Sequence, residues 1–191
     1  EPLLQALIRA VTDRRVAVGT IAAALMLFTY EGLTAFLPTY FVATKRVSQT
    51  TASALLALMF LAGASFQLLS DRLVERVGSK VTLVGVCVVG AATLAALPFV
   101  SGVVPLAILV VVLSIRRAFG PVNSSYILSY LPDEVQGAAW GFIRTAFLLI
   151  ASTGSTFVGW AADAGRFDGA FLVLAGVTGV AAVLYLLLFL E

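Results

Sequence analysis

A chain of 191 residues with 61% hydrophobic and only 12% charged residues cannot clothe a water-soluble fold, because a soluble domain carries about 25% charge. Mean hydropathy is +1.06, and a net charge of +2, with no basic run longer than the pairs Arg14-Arg15, Lys45-Arg46 and Arg116-Arg117, leaves no footprint for nucleic acid. Histidine is absent and Cys87 is the one cysteine, which removes the commonest proton shuttle and metal ligand and any intrachain disulfide.

Residues 1–15 read as a cytoplasmic linker, with an amphipathic stripe of Leu3, Leu4, Leu7 and Ile8 suited to a membrane surface or to packing on a bundle. Residues 16–191 read as a six-helix unit. A transmembrane helix needs about 20 apolar residues, and spans are predicted over residues 16–42, 48–69, 81–100, 103–130, 138–162 and 167–190. A membrane barrel would show shorter, alternating segments. The fold class expected is an all-α membrane protein whose short connections impose an antiparallel bundle.

The first span carries Glu31 near its middle. On a helical wheel Thr20, Ala24, Glu31, Thr34, Ala35 and Pro38 share one side. Buried carboxylates hold protons more tightly than exposed ones, so Glu31 is a candidate proton site. The competing reading is a fixed partner for an arginine of the fourth span.

The second-to-third connection holds Asp71, Arg72, Gly78 and Lys80. A carboxylate, basic residues and a glycine turn between two helix ends suit a cytoplasmic gating loop, with Asp71 docked at a positive helix amino terminus. A solvated tight loop is the plainer alternative.

The fourth span carries Arg116 and Arg117, each costing about 2.5–3.5 kcal/mol or more at mid-membrane. With Arg116 at zero on the wheel, Arg117, Gly120, Asn123, Ser124 and Tyr130 fall in a sector about 140° wide. Gly120-Pro121 predicts a kink there. A wet face lined by Arg116, Arg117 and Asn123 is one reading; buried ion pairs, or snorkelling to the headgroups, are the others. Arg144 in the fifth span is expected to snorkel. Small residues such as Gly63, Gly154 and Gly159 predict close helix packing, and Trp140 and Trp160 an interfacial belt.

Arg9, Arg14, Arg15, Arg72, Arg76 and Lys80 lie on one side of the predicted spans, against Lys45, Arg46 and Arg166 on the other. The positive-inside rule then places both termini in the cytoplasm.

Several runs resemble the major facilitator superfamily. Asp13-Arg14-Arg15-Val16 is similar to the start of the family's seventh helix, and Tyr30-Glu31-Gly32 with Phe36-Leu37-Pro38-Thr39-Tyr40 to the end of that helix. Asp71-Arg72-Leu73 with Gly78-Ser79-Lys80 resembles the second copy of its Gly-x-x-x-Asp-Arg-x-Gly-x-Arg/Lys motif, although Gln67 replaces the first glycine and extra residues separate Arg72 from Gly78. Leu131-Pro132-Asp133-Glu134 with Gly137 and Gly141 resembles its tenth-to-eleventh loop. The resemblance implies a carboxy-terminal six-helix half in the cell membrane, with an amino-terminal half expected before Glu1. It also implies that Glu31 and Arg116/Arg117 project from the two cavity-lining helices, and that the halves rock about a midplane site.

The expected function is therefore secondary transport of a small solute by alternating access, coupled to protons, with the arginine pair favouring an anion. No cofactor or metal is expected. A self-contained six-helix protein, dimerising as a channel or scaffold half, is the alternative. An intramembrane enzyme stands third, since a Ser–His hydrolase would need the missing histidine.

Overall fold

The computed structural model describes residues 2–189, and among them there are helices and no strands. A short helix, α1 (Pro2–Thr12), precedes α2 (Arg14–Ala43), α3 (Gln49–Leu68) and α4 (Ser70–Ala96). The fourth span is α5 (Val103–Leu113), a 3₁₀ turn (Ser114–Ala118) and α6 (Phe119–Leu128); the fifth is α7 (Gln136–Ala151) and α8 (Thr153–Asp163); the sixth is α9 (Phe167–Phe189). Six of these stretches are long and apolar enough to cross a membrane. The chain is a six-helix transmembrane half bundle.

Local chemistry sets the boundaries. Asp13 caps α2, its carboxylate accepting from the amides of Arg15 at 2.9 Å and Val16 at 3.3 Å. Ser48 caps α3 through the amide of Thr51 at 3.1 Å. Pro121 has no N–H to offer the Arg117 carbonyl and its ring crowds that oxygen. The chain answers by tightening to 3₁₀ geometry in the turn before the proline, so the break expected at Gly120-Pro121 falls at Ser114–Ala118. At Ser152 the fifth span breaks where hydroxyls turn back on their own helix: Ser152 donates to Leu149 O at 2.8 Å and Thr153 to Ile150 O at 2.7 Å.

Residues 70–77, read as part of a connecting loop, are helical and form the first part of α4, which breaks at Gly78, whose φ of 83° suits glycine. Leu73, Val74 and Val77 supply an apolar stripe among Asp71, Arg72, Glu75 and Arg76. At the amino terminus α1 packs on α2 and α7, with Ala10 buried and Ile8 exposed. The side chains of Leu3, Leu4 and Leu7 lie outside the described residues.

α2 is the central helix and packs against α3, α6, α7, α8 and α9, while α4 packs mainly on α9. Glycines bring α2 and α8 together: a methyl at Gly154 would sit 2.0 Å from the Phe28 carbonyl oxygen, and one at Gly32 would sit 2.8 Å from the Gly154 carbonyl. The apolar core forms two clusters. One gathers Met26, Leu83, Ala118, Tyr126 and Tyr185; the other gathers Leu33, Tyr40, Phe41, Leu94, Leu113 and Phe171.

The far end of α2 is tied to its neighbours by polar contacts. Tyr40 donates to the Asp168 carboxylate at 2.6 Å, and Lys45 donates to Pro98 O at 2.6 Å. Burial pushes the Lys45 ammonium below its usual pKa, while the Asp168 charge pulls it back up.

The backbone contact at Gly154 generates a test of packing. Overpacking costs about 1–3 kcal/mol, so Gly154→Ala is expected to lower the unfolding midpoint of the detergent-purified protein clearly. Gly176→Ala, where a methyl meets nothing within 4 Å, leaves the midpoint level or raised. Equal midpoints for the two variants would contradict the close approach of α2 and α8.

Candidate functional site

α2 and the fourth span face each other around a cavity of about 180 Å³. On α2 the wall is Ala23, Met26, Leu27, Tyr30 and Glu31, a spacing of three and four that puts them on one helical face. The fourth span contributes Arg116, Arg117, Phe119, Gly120, Asn123 and Ser124, and α7 adds Phe147. Four of the five polar residues singled out from the sequence for the pathway thus share one cavity. The fifth, Thr34, is half-buried and its hydroxyl donates to Tyr30 O at 2.9 Å.

The 3₁₀ turn sends its two arginines to different surroundings. Arg116 is 4% exposed and enters the bundle between α2, α4 and α9. Its Nη1 donates to Thr178 Oγ1 at 3.0 Å; its Nη2 donates to Met26 O at 3.3 Å and, in a short contact, to Thr29 Oγ1. Its Nε has no partner. Gly90 makes room for the stem, since a methyl there would lie 3.0 Å from Arg116 Cγ. Every acceptor around this guanidinium is neutral, so its positive charge is hydrogen-bonded but not compensated by a carboxylate among these partners.

Arg117 is exposed and leans over α3, its stem filling the space above Gly63. Nη1 donates to Tyr30 Oη at 3.4 Å and Nη2 to Gln67 Oε1 at 3.3 Å, with the guanidinium carbon 5.5 Å from the centre of the Tyr30 ring. Glu31 is exposed on the same face, one residue from Tyr30. Asn123 is buried: Nδ2 donates to Gly19 O at 3.2 Å, and Oδ1 accepts a short hydrogen bond from Tyr185.

Of the residues named for the gating segment, Asp71 and Arg72 are exposed on residues 70–77, and Gly78 forms the break. Lys80 is exposed, with its ammonium 5.0 Å from the centre of the Phe189 ring. Arg72 and Arg76 border a second groove beside Phe66, Leu69 and Ile115. Among the described residues no three or more His, Cys, Asp or Glu side chains gather as a metal would require.

Sequence reading passed over Thr29, Thr178 and Tyr185, and met Tyr30 and Gln67 only within the family resemblance, with no role at the site. Thr178 carried a signal: it is the one hydroxyl residue besides Tyr185 in the apolar sixth span. Gln67 did not, since its link to Arg117 crosses 50 positions.

The role of Thr178 is open to a double-mutant cycle. Leaving a buried donor unsatisfied costs about 1–3 kcal/mol, more for a charged one. Thr178→Val is expected to lower the unfolding midpoint strongly in the wild-type background and only slightly in Arg116→Met. The same loss in both backgrounds would show that Thr178 and Arg116 do not act together.

The family model of the Major Facilitator Superfamily matches residues 8–191. No curated protein matches the chain.

Proposed function

This chain belongs to the Major Facilitator Superfamily, a family of membrane transporters, and we propose that it is the carboxy-terminal six-helix half of a proton-linked secondary transporter for a small solute. The observation that carries this reading is the single carboxylate, Glu31, on a cavity wall that also holds two guanidinium groups. A lone carboxyl beside two fixed cations is a site where taking up a proton changes the charge offered to a substrate. The other ionisable groups lining that cavity are Tyr30, next to Glu31 on α2, and Arg116 and Arg117 on the fourth span; α7 presents only Phe147.

At about 180 Å³ the cavity is smaller than the roughly 300–1,000 Å³ of a complete small-molecule pocket. It suits one wall of a larger site whose other wall comes from an amino-terminal six-helix half. Rocking of two such halves about a midplane site would expose the cavity to each side in turn. The break at Ser114–Ala118 supports such motion, because 3₁₀ stretches inside long helices mark hinges. In this reading Asp71, Arg72, Gly78 and Lys80 gate the cytoplasmic side, both termini are cytoplasmic and the membrane is the cell membrane.

The test uses the full-length protein in proteoliposomes with an imposed pH gradient. Glu31→Gln is expected to abolish gradient-driven uptake while leaving expression and exchange of preloaded substrate intact. Uptake that still follows the gradient in Glu31→Gln would remove Glu31 as the proton site.

A further inference from the structure

The two arginines differ in what they have left to give. Arg116 is spent: both terminal nitrogens are bound inside the bundle and the side chain is sealed from solvent. It contributes positive potential to the cavity wall without offering that wall a planar fork. Arg117 is exposed, and its two contacts, 3.3 and 3.4 Å, are long and made to neutral oxygens. They use two of the five N–H groups of a guanidinium. The Tyr30 ring beneath and Gln67 beside it hold the plane in place, as preorganised recognition requires.

The rest of the wall is sorted. Asn123 has both its amide nitrogen and its oxygen engaged with Gly19 and Tyr185, so it offers a substrate little. Away from Arg117 the lining is mostly apolar, with Ala23, Met26, Leu27, Phe119 and Phe147, and Tyr30, Glu31 and Ser124 are its remaining polar groups. A ligand that satisfies both ends has one planar anionic group and an apolar body. A sugar or a polyanion would leave hydroxyls or charges facing methyl and phenyl groups.

We propose that the cargo is a small monocarboxylate with an apolar body, its carboxylate in a bidentate pair with Arg117 and its body against Leu27, Met26 and Phe147. This rests on the transporter reading above and specifies its substrate class. In the transporter reading, a proton taken up at Glu31 on the same cavity wall would remove a like charge as the carboxylate seats, so that proton and anion enter together. Charge-assisted bidentate pairs are the strong ones among hydrogen bonds, and lysine cannot copy the fork.

The test measures binding to the purified full-length protein with three probes of one shape: benzoate, benzamide and benzylamine, with inorganic phosphate as a fourth. Benzoate is expected to raise the unfolding midpoint and to bind about tenfold or more tightly than benzamide, as loss of a hydrogen bond to a charged group implies. Arg117→Lys weakens benzoate by about tenfold, on the same ground, and Arg117→Gln removes the preference over benzamide. Should an Arg117 variant fail to fold, Phe147→Ala carries the test: it weakens benzoate more than acetate. Benzamide or benzylamine matching benzoate, phosphate displacing it, or benzoate preference persisting in Arg117→Gln would each overturn the assignment. Benzoate binding without proton-driven uptake would leave the assignment standing and defeat the coupled-transport reading. Proton-driven uptake of an amine would do the reverse.

Discussion

A guanidinium held in the apolar interior, with hydroxyls and a carbonyl as its hydrogen-bond partners among the described residues, is the constraint around which this bundle is arranged. Arg116 lies where the two apolar clusters meet. On α2, Met26 belongs to one cluster and Leu33 to the other, with Thr29 between; on α9, Ala181 and Leu174 flank Thr178 in the same way. Cys87 and Leu94 flank Gly90 on α4. A polar layer therefore crosses the bundle at one level and ties α2 and α9 to the fourth span. An unsatisfied cation in hydrocarbon is costly enough that each of these contacts constrains the register of its helix. Glycine at position 90 belongs to the same arrangement, because the arginine stem occupies the volume a side chain would need.

The same turn that buries Arg116 turns Arg117 outward. Consecutive residues of one type then serve different ends: the first holds the bundle together and sets a positive potential, and the second faces the cavity with donors to spare. Pro121 is the local cause, since it denies the Arg117 carbonyl its usual partner and the preceding turn tightens. Fold and site meet in five residues of 3₁₀ helix. The turn gives the cavity its two arginines, while α2 supplies Glu31 and Tyr30 together with Ala23, Met26 and Leu27, and Phe119 and Phe147 complete the apolar wall.

Hydropathy made the six spans legible, because a lipid-crossing helix must be apolar for its whole length. Residues 70–77 escaped it: Asp71, Arg72, Glu75 and Arg76 dilute the average although the residues between them form a helical stripe. The wheel of the fourth span grouped its polar residues, yet the sector straddles a boundary. Arg116 and Asn123 lie on its buried side, while Arg117 and Gly120 lie on its open side. Nothing within the fourth span announces that division. It is decided by Thr29, Thr178 and Tyr185, acceptors and donors carried by α2 and α9. Glu31 stood out because carboxylates are rare at that depth, but its neighbours across the cavity follow from the fold.

If the open side of that boundary borders water, as this account requires, a membrane-impermeant thiol reagent will find it. Single cysteines at position 31 and position 124, introduced into the full-length protein in membranes on a background lacking Cys87, are expected to label. A cysteine at position 178 on the same background is expected to stay unlabelled until the protein is denatured. Positions 31 and 124 remaining inert to the reagent at every pH and with every substrate gradient would contradict the account.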